Sequence, residues 1–229
     1  MKKQLVFAIG LLVLIVTLTA LPALADSPES RISGSVKVLQ DMAAQQDVEH
    51  MAHLLSNARG VAIFPNVYKA GLVFGGRYGE GLLVKYDPKT KRWYGPNFIT
   101  IAGASWGLQI GVQSTALVLV ITNDRGMEGF VGNKVTLGGD FAVAAGPMGR
   151  SAQAATDGKL QASIYSYSMS KGLFAGLSLE GAAVSVDENA NTVYWGKATT
   201  AHQALDSRAQ SSKIQPLLKE LNALIAKAK

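Results

Sequence analysis

Apolar residues recur at helical spacing in two stretches at the start of the chain. Between residues 28 and 57 they fall three or four positions apart, with a polar break in the middle and Asp47 placed to cap the second stretch. This pattern predicts two helices over 28–57. Their apolar positions are Ile32, Val36, Leu39 and Met42 in the first helix, and Val48, Met51, Leu54 and Leu55 in the second.

After Gly60 the helical spacing gives way to short runs of β-forming residues separated by Gly, Pro, Asn or Asp. Such punctuation is typical of a meander of antiparallel strands. The runs cover 61–64, 71–74, 81–86, 114–122, 140–145 and 161–168. A short helix is predicted from Asp124 to Phe130 and a hairpin turn from Asp187 to Asn191, which gives a β-rich core over 60–197.

The tail, residues 199–229, returns to helical spacing. Pro216 suits the first turn of a helix, and the apolar positions that follow form one stripe. The stripe consists of Ile214, Leu217, Leu218, Leu221, Leu224 and Ile225. It needs a cover, for which the β core is the first candidate and a partner protein or a membrane surface the alternatives. The whole pattern predicts one α+β domain over 26–229, a mainly antiparallel β core flanked by N-terminal and C-terminal helices.

One glycine-containing run in the β core occurs twice, one hundred positions apart. Phe74, Gly76, Glu80, Gly81 and Val84 recur as Phe174, Gly176, Glu180, Gly181 and Val184. Glycine inside a strand permits close backbone approach or a bulge. The repeat therefore predicts an internally duplicated, glycine-rich core, and its first meaning is architectural.

The first 25 residues predict an export signal. Lys2 and Lys3 precede an apolar run from Leu5 to Leu21, and the small residues at 23 and 25 match a cleavage site. We expect cleavage after Ala25 and a periplasmic or secreted protein, with a membrane anchor as the alternative. The absence of cysteine excludes disulfides, thiolate metal sites and an acylated N-terminal cysteine.

Charge adds a weak preference for anionic partners. Residues 1–25 contain two lysines and no acidic residue, so their removal lowers the net charge from +6 to +4. Lysine and arginine are scattered, whereas nucleic-acid binding usually requires a clustered basic stripe. We therefore expect no nucleic-acid partner.

Residues 103–107, Gly-Ala-Ser-Trp-Gly, match the pattern of a hydrolase nucleophile elbow around Ser105. Asp187 and His202 follow in the order of a hydrolase triad. However, the residues after Ser105 are not helical in pattern, and no oxyanion-loop motif precedes them. A serine hydrolase stays a minor alternative, and no catalytic residue is assigned.

Metal and acid–base chemistry receive equally little support. His50 and His53 lie three apart on the predicted second helix, but no closed ligand set accompanies them, so we assign neither metal nor cofactor. Glu80 and Glu180 are paired by the repeat, which is more typical of equivalent structural hydrogen bonds than of an acid–base couple.

Residues 146–150, Gly-Pro-Met-Gly-Arg, are the best candidate for binding a phosphate head group. Turns at Gly146 and Gly149 can expose backbone N–H groups, and Arg150 can grip a phosphate in bidentate fashion. Arg77 and Lys171 lie beside the repeated glycine runs and would add positive charge. The alternative is that Arg150 only braces a turn.

Arg31 and Lys37 are a second candidate contact with an anionic membrane. They flank the apolar face of the first predicted helix, and only their charge and position recommend them.

The order of these blocks resembles the SYLF-domain family. Residues 54–65 contain Leu-Leu followed by Ala-Arg-Gly-Val-Ala-Ile-Phe-Pro, and residues 69–77 read Lys-Ala-Gly-Leu-Val-Phe-Gly-Gly-Arg, followed by Gly-Glu-Gly at 79–81. Further blocks at 107–111, 118–122, 146–150 and 165–176 fall in the order of the family. The resemblance covers nearly all of the chain after residue 25.

This resemblance implies lipid binding, with phosphoinositide recognition in eukaryotic members and actin-filament binding in some fungal ones, and it implies no reaction. An exported bacterial protein would meet neither ligand, so an affinity for anionic phospholipid is the part that transfers. We expect a non-enzymatic, lipid-binding protein of the cell envelope. The alternative is a structural or filament-interacting module whose C-terminal helix binds a protein partner.

Overall fold

The computed structural model describes residues 26–45, 48–71, 74–106, 111–132, 134–146, 162–171, 173–174 and 179–228. The helices are α1 (Pro28–Ala43), α2 (Val48–Ser56), α3 (Asp124–Val131), α4 (Glu188–Trp195), α5 (Ala201–Asp206) and α6 (Gln215–Ile225). The strands are β1 (Gly60–Gly71), β2 (Phe74–Asp87), β3 (Arg92–Trp106), β4 (Gly111–Ile121), β5 (Lys134–Thr136), β6 (Val143–Ala145), β7 (Ile164–Ser170), β8 (Leu173–Phe174) and β9 (Ala183–Val186).

All of these strands belong to one sheet. Its order is β5-β9-β3-β2-β1-β4-β7-β6, and β8 pairs with β7. The four long strands β1 to β4 form its centre, and every pairing among the described strands is antiparallel except that of β6 with β7. The predicted α+β class with a mainly antiparallel β core is confirmed.

Apolar side chains are buried on both sides of the sheet. On one side, which we call the helix side, α1, α2 and α6 cover the sheet. On the opposite side α3 and α5 pack against it, together with side chains of its own edge strands β5 and β9. The helix-side core includes Leu39, Met42, Met51, Leu55, Val61, Ile63, Leu82, Val84, Val118, Val120, Leu217 and Leu221. The opposite core includes Ala62, Phe64, Val67, Leu83, Ile99, Ile101, Leu119, Ile121, Met127, Phe130 and Leu205.

A bulge interrupts β1 near Pro65. Between Ile63 and Asn66 the strand advances three positions while β2 advances two, and its pairing with β4 has the same extra residue between Phe64 and Val67. Gly34 of α1 approaches Pro65 so closely that an added Cβ would lie 2.9 Å from the proline Cβ. The bulge therefore lies directly beneath α1.

The C-terminal stripe is covered by the chain itself. Leu217, Leu221 and Leu224 are buried, and α6 packs against α1 and α2 above the sheet. Asn222 accepts a hydrogen bond from the Trp93 indole at 2.9 Å, which ties α6 to β3. The stripe is thus buried by packing within the chain, as the first candidate proposed, and the alternatives, in which this helix offers its stripe to a partner or to a membrane, are wrong.

The two copies of the glycine run have different structures. The first copy lies in the single strand β2, with Gly81 in its middle. In the second copy Phe174 lies in β8, Gly181 adopts a turn with φ of 73° and Val184 lies in β9, while Gly176 lies outside the described residues. The duplication in the sequence is thus not matched by two equivalent strands.

Two further local predictions differ from the structure. Asp187 to Asn191, predicted as a hairpin turn, instead begins α4, because the Asp187 carboxylate caps the helix by accepting from Ala190 N at 3.0 Å. The long strand β3 was not predicted at all.

The predicted helix over Asp124 to Phe130 is confirmed as α3, and Asp47 lies outside the described residues. None of the described helices has the length and apolar character needed to cross a bilayer.

Candidate functional site

One end of the sheet carries exposed apolar side chains and positive charge. We call it the open end and define it by the described residues 67–71, 74–78, 102–106, 111–116, 169–171 and 173–174. The hairpin register brings these segments together, since Gly71 lies opposite both Gly75 and Gly111, and Phe74 lies opposite Trp106. The turn after β7 joins them where the Ser170 hydroxyl approaches the carbonyl of Ser114 at 3.4 Å.

Large apolar side chains at the open end face solvent. Tyr68 and Tyr78, which lie opposite each other on β1 and β2, are 50% and 48% exposed, and Val112 and Leu173 are 72% and 70% exposed. Tyr68 and Tyr78 lie on the helix side, because their neighbours Val67 and Gly79 face the opposite side. The helices that the structure describes therefore stop short of covering this end of the sheet.

The charged residues among the segments that define the open end are all basic. The open end contains Lys69, Arg77 and Lys171, and no aspartate or glutamate occurs in the segments that define it. Lys69 lies opposite Arg77 on β2, and Lys171 is exposed in the β7–β8 turn with φ of 51°. Neighbouring strands are spaced by about 4.8 Å. The strand β1, which carries Lys69, and the strand β7, which Lys171 directly follows, flank β4 and therefore lie roughly 10 Å apart.

Arg77 contributes its charge more than its surface. Its side chain is 9% exposed, and one terminal nitrogen donates to the carbonyl of Ala104 at 3.1 Å. Burial lowers the pKa of the guanidinium, which nevertheless stays charged because arginine is not deprotonated in proteins. The structure thus brings two predicted head-group residues, Arg77 and Lys171, to the same end of the sheet.

The predicted phosphate turn is described only at its first residue. Gly146 donates its N–H to the carbonyl of Ser166 at 2.8 Å, and a Cβ at this position would collide with the Tyr167 ring. This N–H is therefore occupied by the backbone, and the missing side chain of Gly146 serves packing. Gly149 and Arg150 lie outside the described residues.

Arg31 is not a membrane contact, contrary to the prediction. Its side chain is 1% exposed, and one terminal nitrogen binds the carboxylates of Glu80 at 2.9 Å and Asp187 at 2.8 Å. Its Nε donates to the carbonyl of Asp26 at 3.0 Å, and the guanidinium carbon lies 5.9 Å from the centre of the Phe98 ring. A helix-face arginine is usually exposed, but here α1 presses it against β2 and the start of α4.

The Arg31 cluster, consisting of Asp26, Arg31, Glu80 and Asp187, lies in a cleft of about 720 Å³. The backbone nitrogen of Asp26 donates to the same Glu80 oxygen that Arg31 binds, at 2.7 Å. The Nη1 atom of Arg31 is buried and has no hydrogen-bond partner among the described residues.

Tyr78 connects this cleft to the open end. Its hydroxyl donates to the second oxygen of Glu80 at 2.8 Å. Partial burial, together with the neighbouring Glu80 carboxylate, raises the pKa of Tyr78 to about 12. The phenol is therefore protonated and able to donate at neutral pH.

Sequence reasoning missed this cluster because its members come from distant segments. The sequence draws attention to Glu80 through the repeat, and to Asp187 as a turn residue and as the acid of a hydrolase triad, but to neither as a partner of Arg31. The aspartate before a helical Glu-Asn-Ala-Asn run was the one available sign that Asp187 caps a helix.

The other candidates occupy unrelated positions. Lys37 is 76% exposed and pairs with Asp41 at 3.2 Å, so it stays a predicted membrane contact. Ser105 lies within β3, whereas Asp187 N bonds to Phe98 O, seven residues and roughly 23 Å away along an extended strand. With its carboxylate bound to Arg31, Asp187 is not placed to form a triad with Ser105 and the exposed His202.

The histidine pair has no further ligands in the described chain. His50 and His53 lie on α2, and no group of three or more metal-ligating side chains occurs among the residues that the structure describes.

Comparisons with known proteins identify a family and several relatives. The family model "Ysc84: Las17-binding protein actin regulator" matches residues 102–224. Protein YSC84 of Saccharomyces cerevisiae is 37% identical over 175 residues, which are 75% of this chain and 37% of the yeast protein. The SH3 domain-containing YSC84-like protein 1 of Rattus norvegicus is 34% identical over 178 residues, 77% of this chain and 52% of the rat protein. LAS seventeen-binding protein 3 of S. cerevisiae is 37% identical over 174 residues, 74% of this chain and 38% of the relative.

The chain belongs to the Ysc84 family, which is the SYLF-domain family that the sequence resembles. It spans about half the length of these relatives or less. The family description is that of a Las17-binding actin regulator.

Proposed function

We propose that this chain is a non-enzymatic binding module that attaches to an anionic surface through the open end of its sheet. An anionic phospholipid membrane is the surface that the geometry favours best. The observation that carries the proposal is the exposure of Tyr68, Tyr78, Val112 and Leu173 at an end of the sheet that holds three cations and no acid.

The two kinds of side chain would act together on such a membrane. Tyrosine side chains are suited to the boundary between head groups and hydrocarbon, since one end of the ring is apolar and the other polar. A lysine near an anionic bilayer contributes about 1 kcal/mol, and this contribution falls with added salt. Lys69 and Lys171 would supply this attraction directly, and the buried charge of Arg77 would reinforce it.

A protein partner is the second candidate, and the comparisons favour it over lipid. The matched family model is described as a Las17-binding actin regulator, and one yeast relative is named for binding LAS seventeen. The same positive open end would then bind an acidic protein surface, such as that of a filament or a filament regulator. The C-terminal stripe is buried, so the open end is the better candidate for this contact as well.

We further propose that the protein is exported and cleaved after Ala25. The support is the sequence pattern of residues 1–25, a basic start followed by an apolar run and small residues. Cleavage there would leave α1 whole, because that helix begins at Pro28.

The deciding experiment is sedimentation of the chain from Asp26 onward with vesicles of zwitterionic or anionic phospholipid, at low and at high salt. We expect retention on anionic vesicles only, weakened by salt. Lys171→Glu should weaken binding by about 2 kcal/mol, roughly 30-fold, because it removes one attractive charge and adds a repulsive one. Lys69→Glu should act in the same direction.

Lys89→Glu is the matched control. Lys89 is exposed in the β2–β3 turn, at the other end of a 14-residue strand and therefore roughly 40 Å from the open end. It should bind vesicles like the unaltered chain. Lack of retention on anionic vesicles at low salt would refute the lipid proposal. Co-sedimentation of the chain with actin filaments in the absence of lipid would support the second candidate, if Lys171→Glu abolishes that co-sedimentation.

A further inference from the structure

We propose that the Arg31 cluster is a binding site for a primary ammonium group, and that its ligand is the α-ammonium which Asp26 acquires on cleavage after Ala25. This inference rests on the export and cleavage proposed above. It is independent of whether the open end binds lipid or protein.

Asp26 is already held at both of its backbone polar atoms. Its nitrogen donates to Glu80 Oε2 at 2.7 Å, and its carbonyl oxygen accepts from Arg31 Nε at 3.0 Å. Cleavage of the preceding peptide bond would convert this nitrogen from a neutral amide with one hydrogen into an ammonium with three. A hydrogen bond would thus become an ion pair without any movement of the nitrogen.

The Arg31 cluster has more carboxylates than cations, so it favours one further cation. The positive charge of Arg31 faces two carboxylates, Glu80 and Asp187, and these three side chains are 1%, 12% and 16% exposed. Solvent therefore compensates the second carboxylate poorly. An α-ammonium beside Glu80 would add a second positive charge to that of Arg31, against the two carboxylates of Glu80 and Asp187.

The surrounding groups hold the Glu80 carboxylate in the orientation in which it would accept from the ammonium group. Tyr78 donates to its Oε1 atom, and Arg31 and Asp26 both approach Oε2, so the carboxylate is oriented from three sides. Glu188 and the Asp26 side chain also line the cleft, and both add negative potential. A phosphate or another anion is a poor ligand for such a site, whereas an ammonium is a good one.

Maturation would then strengthen the fold. Before cleavage, residue 26 contributes a neutral N–H to Glu80, and afterwards it contributes a charge that joins α1, β2 and the start of α4. The chain that begins at Asp26 should therefore be more resistant to unfolding than a chain whose α-ammonium is carried by extra residues placed before Asp26.

The test compares the chain that begins at Asp26 with one that carries an additional Gly-Ser before it, each with Glu80 and with Glu80→Gln. Urea unfolding is followed near pH 6 and near pH 10, on either side of the ordinary α-amino pKa of about 8. A carboxylate partner raises the folded-state pKa of the amine, so the stabilisation is present below the unfolded pKa and is lost as the pH rises through the folded one.

We expect the chain beginning at Asp26 to have the higher unfolding midpoint near pH 6, with a smaller difference near pH 10 and in Glu80→Gln. Equal midpoints for the two N-termini near pH 6, or an undiminished difference in Glu80→Gln, would overturn the proposal. If Glu80→Gln fails to fold, acylation of the α-amine gives a second readout, resolved from lysines by mass spectrometry. Each unit by which Glu80 raises the amine pKa slows this reaction about tenfold relative to the urea-unfolded chain, and equal rates would contradict the ion pair.

Export of the full chain in a bacterial host separates this proposal from the one on which it rests. A product whose N-terminus is not Asp26 would overturn both the cleavage and the ammonium site. A product that begins at Asp26 but gains no stability from its free amine would overturn the ammonium site alone.

Discussion

Replacing Arg31 by methionine should cost more stability than any other single change of a charged residue on α1. Methionine keeps most of the apolar stem of the side chain but loses the guanidinium, whose carbon lies 5.9 Å from the centre of the Phe98 ring. What it removes is the charge between Glu80 and Asp187 and the hydrogen bond to the carbonyl of Asp26.

The magnitude follows from the burial of the partners. Removing one member of a buried ion pair typically costs about 3–5 kcal/mol, because a charge is left without compensation. Glu80 and Asp187 retain exposures of 12% and 16%, so water can partly solvate them and the lower figure applies. We therefore expect Arg31→Met to lower the free energy of unfolding by about 3 kcal/mol.

Urea unfolding of the chain from Asp26 onward measures this loss. The matched control is Lys37→Met on the same helix, where the side chain is 76% exposed and pairs with Asp41 one turn away. Such a pair contributes about 0.3–0.5 kcal/mol, so the control should be nearly neutral. Arg31→Lys should fall between the two, since it keeps the charge but cannot reach both carboxylates and the carbonyl with a planar fork.

A loss below about 1 kcal/mol for Arg31→Met would refute the reasoning, because an uncompensated pair of buried carboxylates is too costly for so small an effect. A loss equal to that of Lys37→Met would show that the arrangement seen around Arg31 contributes nothing to the folded state.

Three other predictions concern single contacts. Gly81→Ala should destabilise the fold by about 1–3 kcal/mol in urea unfolding, because its Cβ would collide with the Ile63 carbonyl, whereas Gly76→Ala in the same strand has open space and should be tolerated. Asn191→Ala should cost about 1–3 kcal/mol and accelerate hydrogen exchange at the Phe98 amide, since it removes the buried acceptor that lies 2.9 Å from that nitrogen. Tyr78→Phe should flatten the loss of stability between pH 10 and about 12. The raised pKa of Tyr78 gives stability that is present below its ordinary value of 10.0 and is lost as the pH rises through about 12; an unchanged alkaline profile would contradict this.

The helices were predictable because their stability comes from one continuous apolar stripe. Leu39 and Met42 in α1, and Leu217 and Leu221 in α6, repeat at helical spacing and are fully buried. The strand β3 was not predictable in the same way. Its segment 103–106 consists of Gly, Ala, Ser and Trp, in which glycine and serine obscure the alternation and imitate a catalytic turn.

The Arg31 cluster lay beyond sequence reasoning for a different reason. Arg31 and Asp187 are 156 residues apart, and neither has a local pattern that identifies the other. Asp187 was misinterpreted because a short polar side chain that accepts a backbone N–H stabilises turns and helix starts alike. The open end was predicted only through Arg77 and Lys171, since the register that joins them to Tyr68 is set by pairing across strands.

The extra residue of β1 determines which chemistry each side of the open end displays. Before the bulge, Val61 and Ile63 face the helices and Ala62 and Phe64 face away, and after it Val67 also faces away, a spacing of three instead of two. A β1 that kept all of its residues but ran through Pro65 in regular alternation, without the bulge, would keep its buried first half and exchange the two sides of its second half. Lys69 would then lie on the helix side and Tyr68 on the opposite side, so the bulge sets the polarity of this surface, and a deletion that removed the extra residue together with the bulge would leave both side chains on their present sides.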